Sequence, residues 1–236
     1  MLKQALTMML VAGMATMGMA QDDGEGTAEA GIDVVSAYVF RGATVNDEVN
    51  VQPALSGTWG ALGLGTWGNF NTDSSQFDEI DYTASYDLPT GDDCPVGASL
   101  GYTEYTYPTQ LDAAGAGLEA DREVSLTLSP VDFPFGTSVM VAYGIEGPYL
   151  DEGIYVEVNA GHDLELNEDI TLNGSATVGI ELGDNVVDTG LAFVALGVGT
   201  AVGPIDIGVT FIIETDDGVR LVDEDVVGTA SISIPL

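Results

Sequence analysis

The fold class this sequence predicts is all-β: an antiparallel, up-and-down transmembrane β-barrel of about twelve strands. Three observations predict it. A two-residue rhythm of apolar and polar side chains recurs along most of the chain, and a strand puts successive side chains on opposite faces. That rhythm follows an N-terminal segment with the form of an export signal. Glycine is abundant, at 31 residues, as strands that bend, tilt and bulge require. No long segment shows the 3.6-residue period of a helix.

Residues 1–20 read as a signal peptide. Lys3 supplies the positive start, Ala5 to Met17 the apolar stretch, and Gly18 and Ala20 the small residues before a cleavage site after Ala20. The stretch is too short and weakly apolar for a membrane-spanning helix, and nothing later offers about 18 consecutive apolar residues. No Cys follows the cleavage site, which argues against a lipid anchor. Residues 21–30 are small, acidic and patternless, and are expected to form a flexible periplasmic tail ahead of a barrel domain over 31–236.

The clearest strand is 169–182. Ile170, Leu172, Ala176, Val178, Ile180 and Leu182 share one face; Thr171, Asn173, Ser175, Thr177 and Glu181 share the other. The same separation marks 76–88, 119–129, 204–215 and 225–236. Softer alternation fills 31–43, 48–59, 61–71, 95–107, 136–147, 153–163 and 189–202, which brings the expected count to twelve. Ten strands is the alternative if 48–71 is divided differently. An even count leaves both chain ends on the periplasmic side. Connectors after the second and tenth strands are short, around Gly60 and Gly203-Pro204, while the one after the fourth, Pro89 to Cys94, is longer. Those after odd strands, at 108–118, 183–188 and 216–224, are longer and acidic. Loops 108–121 and 216–225 are expected to be mobile and water-exposed.

Charge narrows the function. The chain carries 38 acids against 4 basic residues, and loss of Lys3 with the signal leaves Arg41, Arg122 and Arg220 and a charge of about −35. Nucleic acid is excluded as a partner, because its phosphates demand clustered Lys and Arg. Two readings of the acidity stand side by side: a lumen and rim that attract cations, or solvation of the loops. Cys94 is the single cysteine, so no internal disulfide framework exists.

Alternation alone does not separate a lipid-facing barrel from a soluble one. The expected discriminator is an aromatic girdle at the ends of the apolar face, formed by Tyr38, Phe40, Trp59, Trp67, Phe70, Tyr102, Tyr143 and Phe211. Glu79, Asp81, Glu157 and Asp206 then face the lumen. With Tyr38 and Phe40 toward lipid, Arg41 turns inward, and Glu79 and Asp81 are its candidate partners, since a buried guanidinium needs carboxylates.

Several short segments resemble a known family. SAYVFRG at 36–42 is followed by QPAL at 52–55, GTWGNFN at 65–71 and YTEYTYP at 102–108, with EIDYTASY between the last two. In order and spacing, across about residues 31–129, they resemble the TorF-type porins, a bacterial family of exported proteins. The C-terminal half is similar only in its rhythm. The resemblance implies an outer-membrane barrel and leaves the solute open. The chain departs from barrel habit in ending Pro235-Leu236 without a terminal aromatic, and in its scarcity of basic residues to oppose the lumen acids.

No catalytic motif appears. His162 and Asp163 are adjacent, so on a strand they point to opposite faces. A lone His makes no zinc site, and no G-x-S-x-G or phosphate-cradling loop is present. The acidic runs at 216–218 and 223–225 lack EF-hand spacing. The expectation is therefore a non-enzymatic porin-like protein without cofactor or metal. It would sit among outer-membrane lipid, be inserted by the barrel-assembly machinery, and pass ions or small solutes. A closed structural or surface-interaction barrel, and a soluble periplasmic binding barrel, are the alternatives.

Overall fold

Twelve strands of this chain close on themselves into an antiparallel barrel. The computed structural model describes residues 26–90, 94–112, 114–131, 133, 135–167, 170–182, 192–202, 204–216 and 220–236. The signal segment and the 183–188 connector lie outside the described residues.

The wall begins with β1 (Thr27–Val35). After an excursion come β4 (Asn50–Trp59), β5 (Leu62–Asn71), β6 (Gln76–Asp87), β7 (Val96–Thr106), β8 (Asp121–Pro130) and β9 (Ser138–Glu146). It continues through β10 (Ile154–Glu165), β11 (Thr171–Leu182), β12 (Ala192–Val202), β13 (Ile205–Asp216) and β14 (Arg220–Pro235). Each strand pairs with its neighbour in sequence. Closure comes from β1, which pairs with β14 from Glu29↔Pro235 to Val35↔Thr229 and with β4 from Thr27↔Thr58 to Val35↔Asn50. The excursion is a small hairpin of its own, β2 (Tyr38–Phe40) and β3 (Ala43–Asn46), which is not part of the wall.

The strand count agrees with the sequence; three boundaries do not. β1 starts at Thr27, so residues 27–30 of the expected tail are wall, held by β4 and β14. The expected first strand over 31–43 ends at Val35, because its second half leaves the wall. The expected loop 216–225 is mostly strand: β13 runs to Asp216 and β14 starts at Arg220. Most of 108–120 is exposed, but Asp121 is buried.

The barrel is inverted in polarity relative to a soluble one. On the outside stand Val124, Leu126 and Leu128 of β8, Val178 and Leu182 of β11, Val209 and Phe211 of β13, and Ile232 and Ile234 of β14, all exposed. The alternate positions point inward; many are polar or small, such as Glu123, Ser125 and Thr127 of β8, and others, such as Tyr105, Phe193 and Ile212, are buried apolar or aromatic side chains. Where strand and register slip, as at Asn69/Phe70, the ladder absorbs a bulge. Phe70 and Phe77 then pair edge to face, with centroids 5.3 Å apart. Among the described residues no helix is long and apolar enough to cross a membrane, a statement without bearing on a barrel that crosses with strands.

Leu126→Arg tests which medium the outer face meets. Mid-strand on a lipid-facing wall, it should cost about 2–4 kcal/mol in urea unfolding from lipid vesicles, and Thr127→Arg, aimed inward, much less. Equal costs would remove lipid from the outer face.

Candidate functional site

The site is built on the hairpin that leaves the wall after Val35. Ser36 makes the last wall contacts: its N–H donates to the Gly228 carbonyl and its hydroxyl accepts from the Gly228 N–H, each at 2.9 Å. The chain then turns inward. Phe40 pairs with Ala43, so only Arg41 and Gly42 form the bend, with φ of 49° and 91°. Two successive left-handed residues suit a tight hairpin whose twist matches its strands. Glycine takes such a φ freely; arginine takes it at a cost of about 1–3 kcal/mol. Gly42 is required twice over, since a Cβ there would lie 2.5 Å from the Phe193 side chain of the far wall.

The hairpin crosses the lumen. The Tyr38 hydroxyl donates to Glu79 Oε2 on β6 at 2.7 Å, and the Tyr38 ring tilts against Trp67 of β5 with centroids 5.6 Å apart. Phe40 meets Tyr105 of β7 edge to face. At the tip, Arg41 Nη2 donates to both Glu123 oxygens of β8 at 2.8 and 2.6 Å. Nη1 reaches both Glu181 oxygens of β11 at 3.3 Å. The guanidinium lies over the Tyr155 ring of β10, 3.9 Å from its centroid. Gly179 keeps the β11 wall thin where Phe193 and the Tyr155 hydroxyl approach.

The hairpin returns to the wall through amides. The fully buried Asn50 side chain donates to Asn46 Oδ1 at 2.7 Å and to the Glu48 carbonyl at 2.6 Å. Asn69 donates to Asn50 Oδ1, and Gln52 to Asn69 Oδ1. Below the tip, apolar side chains from Val35, Val39, Ala142, Phe193, Ala195, Ile212 and Val227 form a cluster inside the barrel. Every wall strand contributes at least one buried inward side chain at this level, from Val35 of β1 round to Val227 and Thr229 of β14. The hairpin thus fills the lumen here.

Six carboxylates are buried among the described residues, Glu79, Asp81, Asp121, Glu123, Glu157 and Glu181, against the one buried guanidinium of Arg41. Five have protein donors, Glu79 through the Tyr38 hydroxyl and four others as follows. Glu123 and Glu181 hold Arg41, and Tyr105 also donates to Glu123 at 3.0 Å. Glu157 receives the Tyr155 hydroxyl and Asn159 Nδ2. Asp121 receives the Tyr107 hydroxyl at 2.7 Å and the N–H groups of Tyr149 and Leu150. Burial, then the Asp121 carboxylate, push the phenol of Tyr107, in the loop after β7, far up from its ordinary range.

Several sequence expectations are corrected. Tyr38 and Phe40 belong to the inserted hairpin rather than to a lipid-facing girdle, Tyr38 being only 2% exposed. Trp67 is inward as well, in register with Asp81 and in tilted contact with the Tyr38 ring. Arg41 is bound by Glu123 and Glu181, not by Glu79 and Asp81, because the hairpin carries it to the far wall. Trp59, Tyr143 and Phe211 are on the outer face, Trp59 beside the Gly60 turn and Phe211 at mid-strand opposite Leu196 and Val226. Asp206 lies inward near the short-turn rim, opposite Ser231, whose hydroxyl binds Asp33. His162 stacks edge to face on Phe135. Arg122 is on the outer surface, tied to Glu104 at 3.0 Å and Glu146 at 2.5 Å.

Glu123, Glu181, Tyr105, Tyr155 and Phe193 enter the site without having been singled out in sequence. The signal for them was the FRGA segment. Its Arg-Gly dipeptide is not among the Asn-Gly or Asp-Gly pairs that mark a hairpin, and so it reads as continued strand.

Arg41→Ala leaves Glu123 and Glu181 facing each other without a cation. Breaking such a buried pair costs about 3–5 kcal/mol, and undocking of the hairpin is the expected relief. Hydrogen exchange should show amides of 38–46 losing protection while those of β6–β13 keep theirs. Unchanged protection at 38–46 would show that Arg41 does not hold the hairpin.

The family model described as "Bacterial protein of unknown function (Gcw_chp)" matches residues 19–227. No curated protein matches the chain. Among solved structures, the NanC porin superposes with a TM-score of 0.51 at 11% identity, over 89% of this chain and 100% of that one. The COG4313 outer membrane channel from Pseudomonas putida F1 gives a TM-score of 0.48 at 11% identity, over 93% and 98% of the two chains. At this identity, the likeness to the NanC porin is one of fold.

Proposed function

The chain belongs to the Gcw_chp family of bacterial proteins, and we propose that it is an outer-membrane, porin-like barrel through which ions and small solutes diffuse passively, with cations favoured. The observation that carries the reading is the inverted polarity: exposed apolar side chains cover the outside, while charged and polar groups share the inside with one apolar cluster. Water alone would select the opposite arrangement; a bilayer outside and an aqueous path inside select this one. The barrel fold shared with the NanC porin supports it, and the S-x-Y-V-F-R-G opening supports a TorF-type porin.

The β2–β3 hairpin sets the narrowest level. Among the described residues, one buried guanidinium stands among six buried carboxylates, and a negative constriction with low-dielectric walls favours cations. Conduction then depends on how far the hairpin swings from the far wall, and the Arg41 ion pairs set that. The export signal at 1–20, insertion by the barrel-assembly machinery and the absence of catalysis belong to the same reading. The continuous buried level through all twelve strands favours a second one, a closed structural barrel.

Planar-bilayer recording on refolded protein separates the two. Small cation-preferring steps are expected from the wild type, and several-fold larger ones from Arg41→Ala. A silent bilayer with both proteins would establish the closed barrel. Recovery of the protein in the detergent-free soluble fraction would sink both readings.

Orientation is tested by Cys94, an exposed thiol on the β6–β7 connection, at the same rim as both chain ends. A membrane-impermeant maleimide should spare it on intact cells and label it once the outer membrane is opened. Labelling of intact cells would turn the barrel over.

A further inference from the structure

Among the described residues, Asp81 is the one buried carboxylate with an oxygen that the fold leaves without a partner. It is 1% exposed, and its Oδ1 has no hydrogen-bond partner. Its other contact is with the carboxyl of Glu79, two residues away on the same face of β6. Glu79 in turn has one protein donor, the Tyr38 hydroxyl. The two arginines whose side chains are described are engaged elsewhere. Arg41 is engaged by Glu123 and Glu181, and Arg122 stands on the outer surface. The field of Glu123 adds to that of Glu79 at Asp81. Two carboxyl groups in contact inside a wall of further acids need positive charge between them. A shared proton would bridge the two but leave Oδ1 bare. A metal ion would meet both demands.

We propose that Glu79 and Asp81 form a binding site for a single hard cation of the Ca²⁺ class inside the barrel, roofed by the Tyr38 hairpin. The site rests on the reading of an acidic, cation-favouring lumen and names one station within it. Hard cations take carboxylate, hydroxyl and water oxygens at flexible geometry, and the two carboxylates with the Tyr38 hydroxyl supply the protein share. No third His, Cys, Asp or Glu among the described residues completes a metal-holding group, so water fills the remaining positions. Affinity should be that of a weak site, half-saturated at about 10⁻⁴–10⁻³ M Ca²⁺. Because the hairpin covers the pair, the cation enters and leaves as the hairpin moves.

Trp67 provides the readout. It is the cross-strand partner of Asp81 and packs at a tilt against Tyr38, whereas Trp59 is 72% exposed on the outer face. Tb³⁺ added to the full-length mature protein in detergent should give saturable emission on tryptophan excitation, displaced by millimolar Ca²⁺. Asp81→Asn and Glu79→Gln should each weaken Tb³⁺ at least ten-fold. Both remove a repulsion and so should fold, as heat-modifiability on gels will report. Glu104→Gln, on the outer wall, should leave the signal as it is. Emission that is absent, or that survives Asp81→Asn, overturns the site and leaves a shared proton between the two acids. The result is independent of conduction. A silent bilayer with saturable, Asp81-dependent emission retains the site, and a conducting barrel without emission removes it.

Discussion

Closure of the wall governs everything inside it. A closed barrel leaves no sheet edge unpaired, so β1 pairs with β14 on one side and β4 on the other. The register that achieves this sets Val35 beside Asn50. Residues 36–49 therefore begin and end at neighbouring points of the rim and have no place in the wall. Their sequence is half apolar, with Tyr38, Val39 and Phe40 in a row, and their own pairing of β2 with β3 satisfies part of their backbone. The lumen is the one environment where those side chains become buried without opening the wall.

Once the hairpin is inside, its charge decides where it rests. A desolvated guanidinium is costly unless it is paired and hydrogen-bonded, and Arg41 meets that demand with bidentate contacts to two carboxylates and an aromatic face. The left-handed Arg41 backbone is a strain that only such over-determined surroundings retain. The same arrangement explains why tyrosines ring this level. Tyr38, Tyr105, Tyr107 and Tyr155 each give a hydroxyl to a carboxylate. In a chain with so few cations, hydroxyl donors do much of the work of stabilising buried acids.

The wall was legible in the sequence because a strand writes its two environments into alternate residues. Segments such as ITLNGSATVGIEL and EVSLTLS put apolar residues on the outer face and polar ones on the lumen face, and nothing distant has to be known to read them. The hairpin was not legible for the same reason. SAYVFRGATV has the residue types of a wall strand, and the turn that takes it out of the wall rests on the positive φ of Arg41 and Gly42. Trp67 misled in a related way: aromatic and near a strand end, it has the look of a girdle residue, but its inward register and the ring of Tyr38 give it an apolar partner inside.

By itself, then, the sequence determined an all-β barrel, its strand count, the faces of most strands and the excess of acid over base, all of them properties of local period and composition. Which carboxylates hold Arg41, which tyrosines support them, and which acid is left without a donor were decided only by the tertiary structure. Those pairings join residues as far apart as Arg41 and Glu181. They depend on the circumference of the closed sheet and on a hairpin crossing it, and neither is written in any local stretch of the chain.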